Sequence, residues 1–211
     1  MKKILLLACL LSFLSNAQAC NDESLSDKDN FINCKKAAEQ GDASVQHIVG
    51  FMYDLGLGVT QDYKQAFNWY RKAAEQGNAK AQHNLGVMYS NGKGVTQDFK
   101  QAVNWYRKAA EQGYDSAQYN FGLMYDNGQG VTQDYKQAVS WYRKAAEQGH
   151  ADAQHNLGVM YAIGQGVTQD LVLAHMLWNV AAAEGHENSA KYRDGLAKKM
   201  SPSQIEKAQG L

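Results

Sequence analysis

The sequence predicts an all-α protein in which antiparallel helix pairs stack in tandem as a solenoid. A Val-Thr-Gln-Asp run recurs every 36 residues, beginning at Val59, Val95, Val131 and Val167. A glycine recurs with the same spacing, at Gly77, Gly113, Gly149 and Gly185. A fixed period of this length is typical of repeat arrays, in which each unit buries its apolar face only against its neighbours.

The period divides most of the chain into four uninterrupted units, residues 42–77, 78–113, 114–149 and 150–185. Residues 20–41 form an N-terminal segment with a half-unit, because residues 31–40 match the end of a second helix. Residues 186–211 are predicted to cap the array with a helix over 187–199 and a short one after Ser201-Pro202. The proline takes the first helical position, where its missing N–H costs nothing.

Each unit is predicted to contain two helices. In the second unit Ala81, Leu85 and Met88 recur at helical spacing and form the buried stripe of the first helix. The glycines of the run 91–94 end that helix. Asp98 is expected to cap the second helix, and Gln101 three residues later resembles the other half of a capping box.

One glycine stands inside the predicted first helix of every unit, at Gly50, Gly86, Gly122 and Gly158. A glycine at such a position costs the helix about 1 kcal/mol relative to alanine. Its presence in all four units predicts the close approach of a neighbouring helix. The Trp-Tyr pairs of the second helices are expected to fill the space between the helix hairpins.

The first nineteen residues are typical of a secretory signal. Lys2 and Lys3 precede an apolar run over residues 4–14, and Ala17-Gln18-Ala19 follows. This order predicts a signal peptide over residues 1–19, cleaved after Ala19. A membrane anchor is the alternative, but the run is shorter than the ~20 residues that span a bilayer. We expect a periplasmic or secreted protein with no transmembrane segment.

Two cysteines remain in the mature chain, because Cys9 leaves with the signal peptide. An oxidising compartment favours a disulfide between Cys20 and Cys34, which could contribute about 3 kcal/mol to stability. The alternative makes Cys20 the lipidated first residue of a lipoprotein. Ala17 fits that reading poorly, since such cleavage sites usually have leucine three places before the cysteine. No lipid anchor is expected.

The charge balance argues against nucleic acid as a partner. The net charge is zero, and removal of Lys2 and Lys3 leaves 19 basic against 21 acidic residues. These charges are dispersed along the chain. Binding to a phosphate backbone therefore has no electrostatic basis.

The unit resembles the Sel1-like repeat. The pattern Ala-x-x-x-Leu-Gly-x-x-Tyr, then Gly-x-Gly-Val-x-x-Asp-x-x-x-Ala, then Trp-Tyr-x-Lys-Ala-Ala-x-x-Gly is complete over residues 81–113. The resemblance extends over residues 42–185, with Val45 and Val49 as departures in the first unit. It implies a right-handed superhelix related to tetratricopeptide arrays, acting mainly as a scaffold for protein contacts.

The same analogy places three rows of first-helix residues on a concave face. The first row is His47, His83, Tyr119 and His155, and the second is Phe51, Val87, Leu123 and Val159. The third is Asp54, Ser90, Asp126 and Ala162, with Asn84, Asn120 and Asn156 beside them. We interpret these positions as a groove for a protein or extended peptide. A merely solvated face is the alternative.

No catalytic residue, metal site or cofactor is predicted. Equivalent histidines lie a full hairpin apart, and helices pack at 8–10 Å, whereas zinc needs its nitrogen ligands within about 2.1 Å. Ser90-Asn91-Gly92-Lys93 matches the Ser-x-x-Lys motif of β-lactamases, which needs the first turn of a helix. It falls instead at an inter-helix turn. Weak β-lactamase-like activity in a β-lactam- or peptidoglycan-interacting protein is the alternative function, and a secreted factor that meets host surfaces also remains open.

Overall fold

Every regular element of the described chain is an α-helix. The structure is a computed structural model that describes residue 20 and residues 24–210. The predicted signal peptide and its cleavage site lie outside the described residues. The described chain divides into two compact parts, a N-terminal part that ends at Ala109 and a C-terminal part that begins at Ala110.

The described residues contain eleven helices: α1 (Asp27–Ala38), α2 (Ala43–Leu55), α3 (Tyr63–Glu75), α4 (Ala79–Asn91), α5 (Phe99–Glu111), α6 (Asp115–Asn127), α7 (Tyr135–Glu147), α8 (Ala151–Ile163), α9 (Leu171–Ala183), α10 (Glu187–Ala197) and α11 (Pro202–Gln209). Helices α2 to α9 supply the first and second helices of the four units, and consecutive helices pack together from α1 to α4 and from α6 to α10. The prediction of an all-α fold built from helix pairs is confirmed. The two closing helices also form, although α10 ends at Ala197.

The turn inside each unit is built from a glycine and an aspartate. In the first unit Gly56 ends α2 in the left-handed conformation, and its N–H donates to the Met52 carbonyl. The Asp62 side chain then accepts hydrogen bonds from the N–H groups of Lys64 and Gln65 at 2.9 and 3.0 Å, which caps α3. These bonds satisfy amides that have no partner within the helix.

The predicted capping box is wrong at this turn. The N–H of Asp62 donates to the Tyr53 carbonyl at 3.0 Å, so it is not available to the Gln65 side chain. The aspartates at the equivalent positions make the same backbone bond, at Asp98, Asp134 and Asp170. A complete capping box does form at Ser201 and Gln204, at the start of α11.

The glycine inside each first helix makes room for an aromatic ring rather than for a helix backbone. A Cβ atom on Gly86 would lie 2.5 Å from Cδ1 and Cε1 of Tyr106, on the second helix of the same unit. The same contact joins Gly50 to Tyr70, Gly122 to Tyr142, and Gly158 to Trp178. All four rings are buried. The expected close approach is therefore made by a side chain.

The tryptophans expected between the hairpins are buried to different degrees. Trp69 is buried, whereas Trp105 and Trp141 are half-buried. The lysine three residues later lies over each ring, with Nζ 3.9–4.2 Å from the ring centroid, in the pairs Trp69/Lys72, Trp105/Lys108 and Trp141/Lys144. A cation over an indole face is attracted by the ring electrons, so each lysine covers the outer side of its tryptophan.

Buried glutamines tie neighbouring units together. In the N-terminal part, Gln82 Nε2 donates to the Ala74 carbonyl of the preceding second helix at 3.1 Å. The Gln46 amide accepts from Gln76 Nε2 at 2.7 Å and donates to the Ala38 carbonyl at 3.2 Å. Buried amides are costly unless they are hydrogen-bonded, so these bonds favour one register between units.

A disulfide joins Cys20 to Cys34, as predicted. Cys34 is fully buried on α1 and belongs to the hydrophobic core of the N-terminal part. Residue 20 is thereby fixed to the half-unit that precedes the first repeat.

We predict that Gly86→Ala destabilises the protein by up to about 2 kcal/mol. The added methyl group would overlap the buried Tyr106 ring, and overpacking of this kind typically costs 1–3 kcal/mol. The gain in helix propensity, about 1 kcal/mol, offsets part of that cost. Urea unfolding followed by circular dichroism measures the difference.

Gly195→Ala is the matched control, because Gly195 also lies inside a helix but no atom lies within 4 Å of its added Cβ. We expect this variant to gain about 0.5–1 kcal/mol. Equal effects of the two substitutions would show that the ring contact does not govern the glycine.

Candidate functional site

The predicted binding residues share one stripe on each first helix. On α2 the stripe consists of His47, Phe51 and Asp54, which are spaced i, i+4 and i+7 and therefore lie on one face. The equivalent stripe residues on α4 are His83, Val87 and Ser90, those on α6 are Tyr119, Leu123 and Asp126, and those on α8 are His155, Val159 and Ala162. We call each set the first-helix stripe of its unit. All of these residues are half-buried except Phe51, which is 43% exposed.

The first-row ring of each stripe packs against the aromatic residue that covers the glycine. The His47 and Tyr70 ring centroids are 5.6 Å apart, and those of His83 and Tyr106 are 5.8 Å apart. In the C-terminal part, Tyr119 and Tyr142 are separated by 5.9 Å. The buried tyrosines of the core therefore hold the first-row rings in place.

The asparagines beside the stripes make contacts between neighbouring units. Asn84 Nδ2 donates to His47 Nε2 at 3.2 Å, and the Asn84 side chain also hydrogen-bonds Tyr70. In the C-terminal part Asn156 hydrogen-bonds both Tyr119 and Tyr142. Asn84 and Asn156 therefore position the first-row rings. The sequence reasoning missed this structural role.

The environment of His47 favours its neutral form. Burial, the positive charge of Lys80 and the neighbouring His83 together lower the pKa of His47 from 6.5 to about 4, and burial is the largest of these causes. The hydrogen bond from Asn84 needs an unprotonated Nε2. A neutral imidazole at neutral pH presents a polar but uncharged surface.

The third-row aspartates accept hydrogen bonds from the buried tyrosines. Tyr142 Oη donates to Asp126 Oδ2 at 3.0 Å, and Tyr70 Oη donates to Asp54 Oδ2 at 3.4 Å. Burial raises the pKa of Asp126, and the bond from Tyr142 opposes this rise. In the fourth unit the pair is replaced by Ala162 and Trp178, and Trp178 Nε1 donates instead to a backbone carbonyl.

The stripe of the fourth unit is partly covered by the closing helix. His155 stacks on His186 at 4.5 Å, meets the edge of Tyr192 at 5.0 Å, and its Nδ1 lies 2.9 Å from Ser189 Oγ. Burial and the neighbouring His186 lower the pKa of His155. His155 is therefore less accessible than its row predicts.

One sequence signal pointed to this contact. His186 lies 36 residues after His150, and His150 stacks on Tyr119 at 4.8 Å. His150 and His186 are the N-cap residues of α8 and α10, and each stacks on the first-row ring of the preceding unit. The closing helix repeats this contact although the rest of its sequence does not follow the period.

The Ser-x-x-Lys residues do not form the arrangement that acyl transfer needs. Ser90 lies in the last turn of α4 and hydrogen-bonds Tyr106, and Lys93 lies after the helix with Nζ 5.1 Å from the centroid of the Tyr63 ring. The residues that the structure describes contain no cluster of three or more His, Cys, Asp or Glu side chains placed to hold a metal ion. None of the described helices is both long and apolar enough to cross a membrane.

The sequence profile described as "Sel1 repeat" matches residues 43–78, 79–114, 115–150 and 151–186. The chain belongs to the Sel1 repeat family. The Sel1 matches coincide with the four helix pairs α2/α3, α4/α5, α6/α7 and α8/α9. Comparison with curated proteins gave no match.

Two solved Sel1-type structures are similar to this chain. The protective antigen c5321, present in uropathogenic Escherichia coli strains and displaying an SLR fold, is 34% identical with a TM-score of 0.81. That match covers 92% of this chain and 43% of the antigen, so the chain spans less than half of the antigen's length. A Sel1 repeat protein from Oxalobacter formigenes is 33% identical, with a TM-score of 0.80 and coverage of 93% and 83%.

Family membership sets the broad functional class. Sel1 repeats form a helical solenoid that typically mediates protein–protein interaction, and the fold is generally a non-enzymatic scaffold. Stripe residues on rigid helices agree with that class, because a partner meets side chains whose positions are already fixed.

We predict that stability falls as the pH is lowered from about 6.5 towards 4, and that His47 contributes to this fall. The unfolded chain binds a proton at His47 near pH 6.5, whereas the folded chain does so only near pH 4. The unfolded state therefore holds more protons within that window, so the free energy of unfolding decreases there. Thermal unfolding at several pH values, with His47→Gln for comparison, measures the contribution.

A proton NMR titration supplies the direct check. His47 should titrate near pH 4, and Lys80→Ala should raise its pKa by removing a nearby positive charge. Titration of His47 near 6.5 in the folded protein would contradict this account.

Proposed function

We propose that this Sel1 repeat chain is an exported adaptor that binds a protein or an extended peptide through its first-helix stripes. The observation that carries the proposal is the second row of each stripe, which is apolar in every unit and lies at the surface: Phe51, Val87, Leu123 and Val159. Phe51 is 43% exposed. An apolar row bordered by polar side chains offers a partner both burial and hydrogen bonds.

The stripes are suited to binding because their rings are already ordered. His47 and Tyr119 rest on buried tyrosines, and Asn84 and Asn156 hold those rings by hydrogen bonds. A partner therefore loses little free energy in immobilising them. We assign direct contact to the first and second rows, and a positioning role to the asparagines, with Asn120 at the equivalent place.

Two features support export. The disulfide between Cys20 and Cys34 is compatible with an oxidising, extracytoplasmic compartment. The basic, apolar and small-residue segments of residues 1–19 follow the order of a secretory signal. N-terminal sequencing of the protein recovered from the periplasm or medium should begin at Cys20, and a chain that begins at Met1 would refute cleavage.

Site-specific crosslinking tests the binding proposal. A photoreactive amino acid is placed singly at Phe51 or Leu123 in the mature protein, and at Asn68 or Asn104 as controls. The two controls are exposed on second helices. We expect the stripe positions to capture a partner in the native cell envelope, and the control positions to capture none. Equal capture from both faces, or none from the stripes, would contradict the proposal.

The captured partner then allows affinity to be measured. Burial of a phenylalanine side chain contributes about 1.5–3 kcal/mol, so Phe51→Ser should weaken binding by roughly 10-fold or more. Asn68→Ser should leave it unchanged. Circular dichroism confirms that both variants fold.

A further inference from the structure

The fourth unit carries an apolar groove on a different face from its stripe. The groove has a volume of about 310 Å³ and lies between the second helices α7 and α9, with α8 beneath it. Its apolar wall consists of Leu157, Tyr161, Leu173, Met176, Leu177 and Val180. On α8 it uses Leu157 and Tyr161, whereas the stripe uses His155, Val159 and Ala162.

Four of the residues that line the groove are positions at which the fourth unit departs from the other three. Leu173 replaces a glutamine, and Met176 replaces an asparagine or serine of the earlier units. Leu177 replaces the tryptophan, and Val180 replaces the lysine that covers it. All four of these replaced residues line the groove. Val180 remains 41% exposed.

The earlier units show which chemical groups this space accommodates. Each carries a Trp-x-x-Lys pair, with the lysine Nζ 3.9–4.2 Å from the centre of the indole ring. In the fourth unit both side chains are absent, and the groove is open where they would lie. The closing helices do not line it. Helices α10 and α11 pack against α9 but leave this apolar face open.

The rim of the groove carries both a positive and a negative side chain, Arg143 and Glu147. In the first unit Arg71 pairs with Glu75 at 3.8 Å. In the third unit the equivalent Arg143 donates instead to Tyr161 Oη at 2.9 Å. Within the part of the chain that the structure describes, no cation pairs with Glu147, which lines the groove. A carboxylate at the edge of an apolar groove attracts a basic side chain.

We propose that this groove docks a helical segment of a partner protein that presents an aromatic side chain and, one helical turn later, a basic side chain. The aromatic ring enters the apolar space that Leu177 leaves, and the basic group meets Glu147. A groove between two helices suits an amphipathic helix whose anchors are spaced i and i+3. The three Trp-x-x-Lys pairs of a second copy are not free anchors, because Trp69, Trp105 and Trp141 each pack within their own unit under a lysine.

The probe is a synthetic helical peptide of alanine and glutamine with one tryptophan and a lysine three positions later, labelled for fluorescence anisotropy. It is titrated against the full mature chain. We expect saturable binding, weakened at least about 10-fold when the peptide lysine is replaced by glutamate. Absence of binding, or equal binding of the two peptides, would overturn the proposal.

A protein variant in which larger side chains fill the groove complements the peptide experiment. Leu177→Trp combined with Val180→Lys restores what the other three units carry, and it should weaken binding at least about 10-fold. Glu147→Gln should weaken binding of the lysine peptide, whereas Glu75→Gln, at the equivalent place in the first unit, should not. If the filled variant fails to fold, Leu173→Gln with Met176→Asn replaces it. Unchanged binding to a folded filled variant would exclude the groove.

Two further measurements separate the alternatives. Phe51→Ser should leave peptide binding unchanged, which distinguishes this groove from the first-helix stripes. Analytical ultracentrifugation compares the mature chain with the filled variant. We expect the two to have the same oligomeric state, so that filling the groove abolishes no self-association. Such self-association would make a second copy the occupant and would overturn the proposed partner.

Discussion

The contact between an aromatic ring on each second helix and a glycine on each first helix determines how the two helices of a unit pack. At Gly86 the Tyr106 ring carbons lie so close that a Cβ atom would overlap them. The ring is buried there and also packs against the first-row residue His83. One ring thus links the packing of the helix pair to the position of a surface residue. Its recurrence in all four units, with tryptophan in the last, makes it the repeating element of the core.

The glycine–ring contact is the same in every unit, and this constancy allows the surface residues to differ from one unit to the next. Stripe residues can vary while the rings beneath them hold their backbone in place, as the exchange of His83 for Tyr119 shows. The fourth unit departs further. Trp178 keeps the ring contact with the glycine, whereas Leu177 stands where the other units have a tryptophan. Its core contact is preserved while its outer face becomes apolar, and this combination produces the groove next to Tyr161.

The repeat period, together with the helical spacing of the apolar residues inside one unit, was enough to predict the helix pairs and the crowding at the glycines. It did not identify Tyr106 as the neighbour of Gly86, because many constant residues share the same spacing. The constancy of Asn84 and its equivalents was a signal of a structural role, yet their polarity suggested a binding surface. The contact of Tyr192 with His155 could not be predicted, because α10 follows no repeat and offers no internal comparison.

A double-mutant cycle at Gly122 and Tyr142 measures whether the glycine and the ring stabilise the helix pair through one shared contact. Tyr142→Ala removes the ring and should cost about 3–5 kcal/mol. Gly122→Ala should then add no further cost, because the space its methyl group needs has been vacated. We expect a coupling free energy of at least about 1 kcal/mol between the two substitutions. Additive effects would contradict it, because they would show that the glycine and the ring contribute to stability independently.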